Sequence, residues 1–141
     1  MGATDMKIAM SLLSGVGYGG KTYFFNLIPE LARIDLENEY HFFVASGDPL
    51  TAAVSQSNVV FHESIAHNQS AIKRFLYEQV VLPRMLARYK IDIFFSAKNI
   101  TLFFAPCKTV IAIRNMEPFF YTHYESSWKM KLLSWVKYQL T

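Results

Sequence analysis

A glycine-rich stretch, Ser14 to Thr22, constrains this chain more than any other feature. It follows an apolar run that begins at Ile8, precedes a helix-like segment, and holds four of the six glycines. Glycine permits positive φ and close approach of a ligand to the main chain, and the first turn of a helix offers N–H groups without intrahelical partners. Because the helix dipole adds partial positive charge there, such a strand–turn–helix corner is suited to bind a phosphate or another anion.

Three binding motifs overlap in this stretch. Gly15, Gly17 and Gly20 match the dinucleotide fingerprint G-x-G-x-x-G. Gly15, Gly20 and the pair Lys21-Thr22 match the Walker A pattern G-x-x-x-x-G-K-[ST]. The third interpretation is a glycine-rich loop that lines the cleft of a two-domain sugar transferase, which has no strict spacing and needs support from the rest of the chain. A tight turn without a ligand is the purely structural alternative.

The two nucleotide motifs differ in how well their acidic partner is placed. A Walker A site needs an aspartate at the end of a second apolar strand to hold Mg²⁺, and the strands predicted at 91–96 and 109–113 end without an acid. A dinucleotide site needs an acid about 20 residues after the glycines. Asp48 lies 28 residues beyond Gly20, so the dinucleotide interpretation stays open.

Strand-like and helix-like segments alternate along the chain, which predicts one Rossmann-like α/β domain over residues 1–141 with a mostly parallel sheet and flanking helices. Ligands then bind beyond the carboxyl ends of the strands, where the glycine stretch and residues 114–118 should lie. We expect Pro29 to kink or end the first helix and Pro83 to bend the second. The strands are predicted at 7–13, 40–45, 58–62, 91–96 and 109–113, and the helices at 22–33, 70–89 and 126–141.

Composition places the chain among globular proteins of the cytoplasm. Hydrophobic residues make up 52% of its 141 residues, enough for a core. No apolar run reaches the roughly 18 residues of a membrane span, and residues 1–6 do not resemble a secretory signal. The single cysteine, Cys107, fits a reducing compartment and is expected to be a packed thiol. The four histidines lack ligand spacing, so we expect no metal.

Positive charge is concentrated in the second half of the chain. Residues 64–141 carry eleven Lys and Arg against four Asp and Glu. A basic face can meet phosphates, nucleic acid or an anionic membrane, or be merely solvated. The helix predicted at 126–141 has Trp128 and Trp135 on one face. We expect that face to pack in the core, and its lysines leave peripheral membrane contact open. We expect no nucleic-acid partner.

Five segments, taken in order, resemble the amino-terminal domain of family 4 glycosyltransferases, which have the GT-B fold. The resemblance covers nearly the whole chain. It implies retaining, metal-independent transfer of a sugar from a nucleotide-sugar donor to a glycan or lipid-linked acceptor, with no cofactor, in a cleft between two Rossmann-like domains. The segments are the glycine stretch with Thr22-Tyr23 and Asn26 to Leu31, Tyr77-Glu78-Gln79 with Leu82-Pro83-Arg84, Ile91 to Ser96, Ala105-Pro106-Cys107, and Arg114 to Phe119.

The resemblance also implies roles for individual residues. Asn115 and Glu117 would lie at the sugar-reactive end of the cleft as catalytic residues. Many relatives have histidine at the position of Arg114, so Arg114 would contact the transferred sugar or instead hold a phosphate or an acidic acceptor. The remaining residues expected to face the substrate or the donor phosphates are Gly15, Gly17, Gly19, Gly20 and Lys21.

The resemblance implies an acceptor-side domain only. The carboxyl-terminal donor domain with its paired glutamates is absent from these 141 residues, so we expect a glycosyltransferase fragment that does not catalyse transfer by itself. The alternative function is a stand-alone α/β module that binds a nucleotide or an anion on residues Gly15–Thr22, in the manner of a P-loop or dinucleotide domain.

Overall fold

The computed structural model describes residues 5–13, 18–65, 70–98 and 101–113. In these ranges the chain forms a five-stranded, all-parallel sheet in the order β3-β2-β1-β4-β5, which confirms the predicted Rossmann-like α/β architecture. The strands are β1 (Lys7–Ser11), β2 (Glu39–Ala45), β3 (Val59–Ser64), β4 (Ile93–Ser96) and β5 (Lys108–Ile111).

Helical segments connect these strands. A long helix, α1 (Tyr18–Ile34), joins β1 to β2, and a single turn, α2 (Leu50–Ala53), lies between β2 and β3. The crossover from β3 to β4 contains α3 (Ala71–Leu76), a π-helical turn (Tyr77–Val81) and α4 (Leu82–Arg88). Because the crossover carries the chain past β1 to its far side, β1 and β4 are neighbours whose connections run in opposite directions.

The apolar core occupies both faces of the sheet, as expected for a sheet covered by helices on two sides. Side chains alternate along β1: Met10 and Leu12 belong to one core cluster, and Ala9 and Leu13 belong to the other. The first cluster contains Phe24, Ile28 and Ala32 of α1. The second contains Leu82 and Leu86 of α4, packed with Phe43 and Phe94. Helices α1 and α4 therefore cover opposite faces.

The structure corrects the predicted bounds of the first helix. It begins at Tyr18 rather than at about Thr22, and it does not end at Pro29 but continues to Ile34. Proline removes one backbone hydrogen bond from a helix interior. Ile28 and Ala32, on either side of Pro29, are buried against the sheet. Their packing holds the helix together across the proline, since tertiary contacts supply most of the stability of a helix.

The second long helix continues through Pro83 with a local change of register. The five-residue π-helical turn Tyr77–Val81 directly precedes α4, and the N–H of Leu82 bonds to the carbonyl of Tyr77. Pro83 has no N–H, and its ring would clash with the carbonyl four residues earlier in a regular helix. Proline and π turns are both established causes of helix irregularity. The irregularity predicted at Pro83 is thus a widened turn that lies before it.

Candidate functional site

The carboxyl ends of β1 and β4 form the topological switch point of the sheet. In open α/β sheets, ligands bind in the crevice beyond the carboxyl ends of strands whose connections diverge. Here β1 connects through α1 to β2 on one side, whereas β4 connects to β5 on the other. Leu12 and Leu13 leave β1 at this edge, and Gly15 and Gly17 follow them in the sequence. The crevice is therefore where a ligand of this fold is expected.

Three polar residues from three elements meet at this crevice. Ser11 ends β1, Glu78 lies in the π-helical turn, and Lys98 follows β4 by two residues. The Ser11 hydroxyl donates a hydrogen bond to Glu78 Oε1 at 3.0 Å, and Lys98 Nζ donates to the same oxygen. One carboxylate therefore joins the ends of both strands at the switch point.

Glu78 and Lys98 form an ion pair that is largely removed from solvent. Their side chains are 11% and 16% exposed, and Ser11 is buried beside them. Removing a carboxylate from water is costly unless it is paired and hydrogen-bonded. Both conditions are met here. An ammonium group in such a low-dielectric crevice interacts more strongly with an anion or a hydroxyl oxygen than it would at the protein surface.

The π-helical turn decides which way Glu78 and Gln79 point. One extra residue in the turn rotates the residues after it relative to a regular helix. Glu78 is buried towards the ends of β1 and β4. Gln79 is bonded to the segment that follows β4: its amide nitrogen donates to the carbonyl of Thr101 at 3.2 Å, and its amide oxygen accepts from the N–H of Phe103 at 3.0 Å. The turn thus joins Glu78 to the ends of β1 and β4 and Gln79 to the segment after β4.

Glu78 lies in one of the segments that resemble family 4 enzymes, but the sequence did not predict it as a site residue. A carboxylate on a long helix is usually a solvated or satisfied group. Glu78 is a satisfied one, paired with Lys98 and buried, with 8% of the whole residue exposed. A signal was present, because Glu78 is the only acid between Ser70 and Tyr89 and lies among apolar neighbours. Only the π turn shows that it faces the sheet.

The predicted glycine-site residues fall partly within the described ranges. Gly19 and Gly20 lie in the first turn of α1, and Gly20 is buried. Lys21 is also in this turn of the helix rather than in the loop before it. The earlier start of α1 brings these residues to the carboxyl edge of the sheet, where the first N–H groups of the helix need partners. Gly15 and Gly17 lie outside the described residues.

The second predicted group follows β5. That strand ends at Ile111, and the described chain continues only to Ile113. Arg114, Asn115 and Glu117 themselves lie outside the described residues, as does the helix predicted at 126–141. Their proposed roles stay predictions.

Asp48, the acid considered for a dinucleotide site, has a local structural role. Its side chain accepts a hydrogen bond from the N–H of Leu50 at 3.0 Å, and its carbonyl accepts from the Thr51 hydroxyl at 2.8 Å. These bonds organise the turn that starts α2. Short polar side chains commonly bond to the backbone two residues ahead in this way. These local bonds account for an aspartate at this position without a bond to the ribose of a dinucleotide.

A second polar cluster, not anticipated from the sequence, lies on the α4 side of the sheet. His41 of β2 bonds through Nδ1 to His62 Nε2 of β3 at 2.8 Å and through Nε2 to Glu39 at 2.6 Å. Burial lowers the pKa of His41, and burial together with the His41 charge lowers the pKa of His62 to about 4. In the described part of the chain, no group of three or more His, Cys, Asp or Glu is arranged to hold a metal ion.

Among the described helices, none combines the length and the apolarity that crossing a bilayer requires. Comparison of the chain with protein-family models, with the curated proteins and with the solved structures found no match. The fold and the group formed by Ser11, Glu78 and Lys98 therefore carry the functional proposal.

Proposed function

We propose that this chain is the acceptor-side domain of a family 4 glycosyltransferase, which transfers a sugar from a nucleotide-sugar donor to a glycan or lipid-linked acceptor with retention. The observation that carries the proposal is the buried Glu78–Lys98 pair, bonded to Ser11, at the switch point of a parallel sheet. It gives the crevice charged and hydroxyl groups at the place where this architecture binds ligands.

The chemistry of the pair suits a ligand rich in hydroxyls and phosphates. Carboxylates accept hydrogen bonds from sugar hydroxyls, and a lysine ammonium donates to hydroxyl or phosphate oxygens. Glu78 neutralises and orients Lys98. A ligand phosphate near Lys98 would gain a charge-assisted hydrogen bond, which is stronger than a neutral one.

The glycine segment supports the same location. It begins where β1 ends, and the first turn of α1, with Gly19 and Gly20, follows it at the same edge of the sheet. Helix N-termini favour anionic groups. In the proposed enzyme this edge would face the donor phosphates and the transferred sugar, and the catalytic contribution would come from Asn115 and Glu117. The five sequence segments that resemble family 4 enzymes are the argument for sugar transfer over other uses of the fold.

The test is ligand binding by the whole chain, measured by saturation-transfer NMR with soluble oligosaccharides and short-chain lipid diphosphate sugars. We expect binding of at least one saccharide class, weakened about tenfold or more in Lys98→Met because a charge-assisted bond is lost. Lys108→Met, which removes an exposed lysine from the edge strand β5, is the matched control and should bind as the unmodified chain does.

Nucleotide binding separates this proposal from the stand-alone module. A ligand that binds only the folded chain raises its thermal midpoint. A midpoint raised by ATP with magnesium and lost in Lys21→Ala would contradict the proposal in favour of a P-loop protein, and a shift with NAD would favour a dinucleotide domain. The 141 residues alone are expected to show no sugar transfer, so transfer detected with a radiolabelled donor would refute that expectation.

A further inference from the structure

We propose that the π-helical turn Tyr77–Val81 is a register switch, in which the contacts of Glu78 hold α3 in one of two orientations. The N–H of Leu82 bonds to the carbonyl of Tyr77, so the turn contains one residue more than a regular helical turn. One residue corresponds to about 100° of rotation in an α-helix. If the turn adopted regular α-helical hydrogen bonding, α3 would therefore rotate by about that angle relative to α4.

In the observed orientation, α3 exposes apolar side chains and partly buries a charged one. Ile72 is 72% exposed and Phe75 is 40% exposed. Arg74 lies between them in the sequence and is half-buried, with its Nε shielded from solvent. Amphipathic helices ordinarily bury their apolar positions and expose their charged ones. The side chains of α3 therefore do not favour the orientation that the helix has.

A regular helix through α3 and α4 would reverse this arrangement. Phe75 lies seven residues before Leu82, and Ile72 lies fourteen before Leu86, spacings close to whole numbers of helical turns. Leu82 and Leu86 are fully buried against the sheet. In this second orientation Phe75 and Ile72 turn towards the sheet, and Arg74 turns towards solvent. Hydrophobic burial therefore favours the regular helix.

The contacts of Glu78 oppose that rotation. Its carboxylate accepts hydrogen bonds from the Ser11 hydroxyl at 3.0 Å and from Lys98 Nζ. Rotation of the turn would withdraw Glu78 from both donors and leave the Lys98 ammonium, 16% exposed, without the Glu78 charge, which is costly. By contrast, the two bonds of the Gln79 amide are neutral, and water can replace them. Glu78 is thus the residue that selects the orientation.

The switch links the crevice to the orientation of α3 at the protein surface. Pro83 also favours the π turn, because its ring clashes with the carbonyl four residues earlier in a regular helix. That contribution is fixed, whereas the contribution of Glu78 depends on whether its partners at the crevice remain bonded to it. A change that separates Glu78 from Ser11 or Lys98 shifts the population towards the regular helix. The rotation requires no ligand, so its test and the saccharide-binding test succeed or fail separately.

The experiment measures thiol labelling on α3 in full chains that carry Cys107→Ala, which removes the natural thiol. The reporters are Ile72→Cys and Arg74→Cys. On addition of Glu78→Ala, labelling of Ile72→Cys should slow and labelling of Arg74→Cys should accelerate, each about fivefold or more. The reason is that labelling follows the population in which a thiol is exposed. Lys73→Cys, at an exposed position that the rotation keeps outward, should label at an unchanged rate.

Two further variants complete the experiment. Ser11→Ala removes one of the two bonds to Glu78 without removing a charge, and it should change both reporter rates in the same directions by a smaller factor. It also provides the test if Glu78→Ala does not fold. Glu63→Ala is the matched control, because Glu63 is an exposed carboxylate at the end of β3 that bonds to Ser46 and Gly47 instead. It should leave both reporter rates unchanged.

Three results would overturn the proposal. The first is unchanged labelling of both reporters in Glu78→Ala and in Ser11→Ala. The second is faster labelling of both reporters in a chain that circular dichroism shows to be folded, since α3 would then loosen rather than rotate. The third is a change of the two rates in opposite directions in Pro83→Ala but not in Glu78→Ala, which would assign the choice of register to the proline.

Discussion

Ser11 and Glu78, 67 positions apart in the sequence, meet through a 3.0 Å hydrogen bond at the carboxyl end of β1. The bond ties the last residue of the central strand to the π-helical turn, and Lys98 completes the group from β4. These contacts join the ends of β1 and β4 to the π-helical turn.

Glu78→Gln should destabilise the fold, because it leaves the Lys98 ammonium in a mostly buried site without its counter-charge. We expect the free energy of unfolding to fall by about 2 kcal/mol, since Lys98 keeps some contact with solvent. Urea denaturation measures it. In the double variant Glu78→Gln/Lys98→Met the loss should be smaller than in Glu78→Gln. If the loss of unfolding free energy in the double variant equals the sum of the losses in the two single variants, the two side chains are not coupled.

Gln79→Ala should loosen the segment after β4, because both ends of the Gln79 amide bond to the backbone of residues 101–103. Each lost bond is worth about 1 kcal/mol at most when water can replace it. Hydrogen exchange followed by mass spectrometry should show faster exchange at Phe103 than in the unmodified chain. Gln56→Ala, at an exposed glutamine before β3, is the control. Unchanged exchange at Phe103 would mean that Gln79 does not hold this segment.

The His41–His62 pair should make stability fall under mildly acidic conditions. Burial lowers the pKa of His62 from 6.5 to about 4 in the folded chain. The unfolded chain therefore binds a proton more readily than the folded chain. The contribution of neutral His62 to the free energy of unfolding is complete above about pH 6.5, and it is lost as the pH falls towards about 4. These pKa values alone correspond to about 2 kcal/mol between about pH 7.5 and pH 5. Because His62 is only half-buried and solvent screens part of the effect, we expect a loss of about 1 kcal/mol, and His62→Phe should reduce it. A loss that persists unchanged in His62→Phe would assign it to other groups.

Leu86→Ala should be strongly destabilising, because Leu86 is fully buried between α4 and the sheet. Removing a buried leucine leaves a cavity and typically costs about 3 kcal/mol. Leu36→Ala, at an exposed leucine, should change the free energy of unfolding by less than about 0.5 kcal/mol. Thermal and urea unfolding of the two variants test this pair. Equal losses of unfolding free energy in Leu86→Ala and Leu36→Ala would contradict the placement of Leu86 in the core.

Cys107 should react slowly with thiol reagents in the folded chain. Burial is the main cause that raises its pKa, the Asp92 charge raises it further, and a hydrogen bond with the Phe94 backbone partly opposes them. Only the thiolate is reactive. With a thiol reagent that releases a chromophore, we expect labelling at neutral pH to be about tenfold slower in the folded chain than in urea. The absorbance of the released chromophore measures the rate. Its packing against the core, as expected from the sequence, agrees with this. Equal rates would place the thiol in open solvent.

Local pattern was sufficient to predict the architecture. All five strands occur close to their predicted positions, because each is a short apolar run bounded by turn residues, and their alternation with helices admits few topologies. The predicted end of α1 at residue 33 lies one residue from the observed end at Ile34. Of the two effects predicted for Pro29, an early end is excluded, since Ile28 and Ala32 are buried on either side of it. The bound that was wrong is the start of the helix. Thr22 does not start α1, which begins four residues earlier at Tyr18.

The helix predicted at 70–89 shows most clearly what periodicity misses. A regular helix over 70–89 would place its apolar residues on most of one stripe, yet Leu82 and Leu86 are buried while Ile72 and Leu76 are exposed. The π turn between them adds a residue and rotates the two halves relative to each other. A regular 3.6-residue period cannot describe such a helix. The exposed half is α3, whose Ile72 and Leu76 side chains do not pack on the sheet.

By itself, the sequence determined the α/β class, the parallel sheet and the glycine segment after the first strand, because these follow from local pattern: short apolar runs that alternate with helix-like segments, and the spacing of the glycines. Only the tertiary structure decided that Ser11, Glu78 and Lys98 share one buried site and that His41 faces His62. Those pairings depend on strand order, on register and on one widened helical turn. They join residues 20 to 67 positions apart, and no local period encodes such distances.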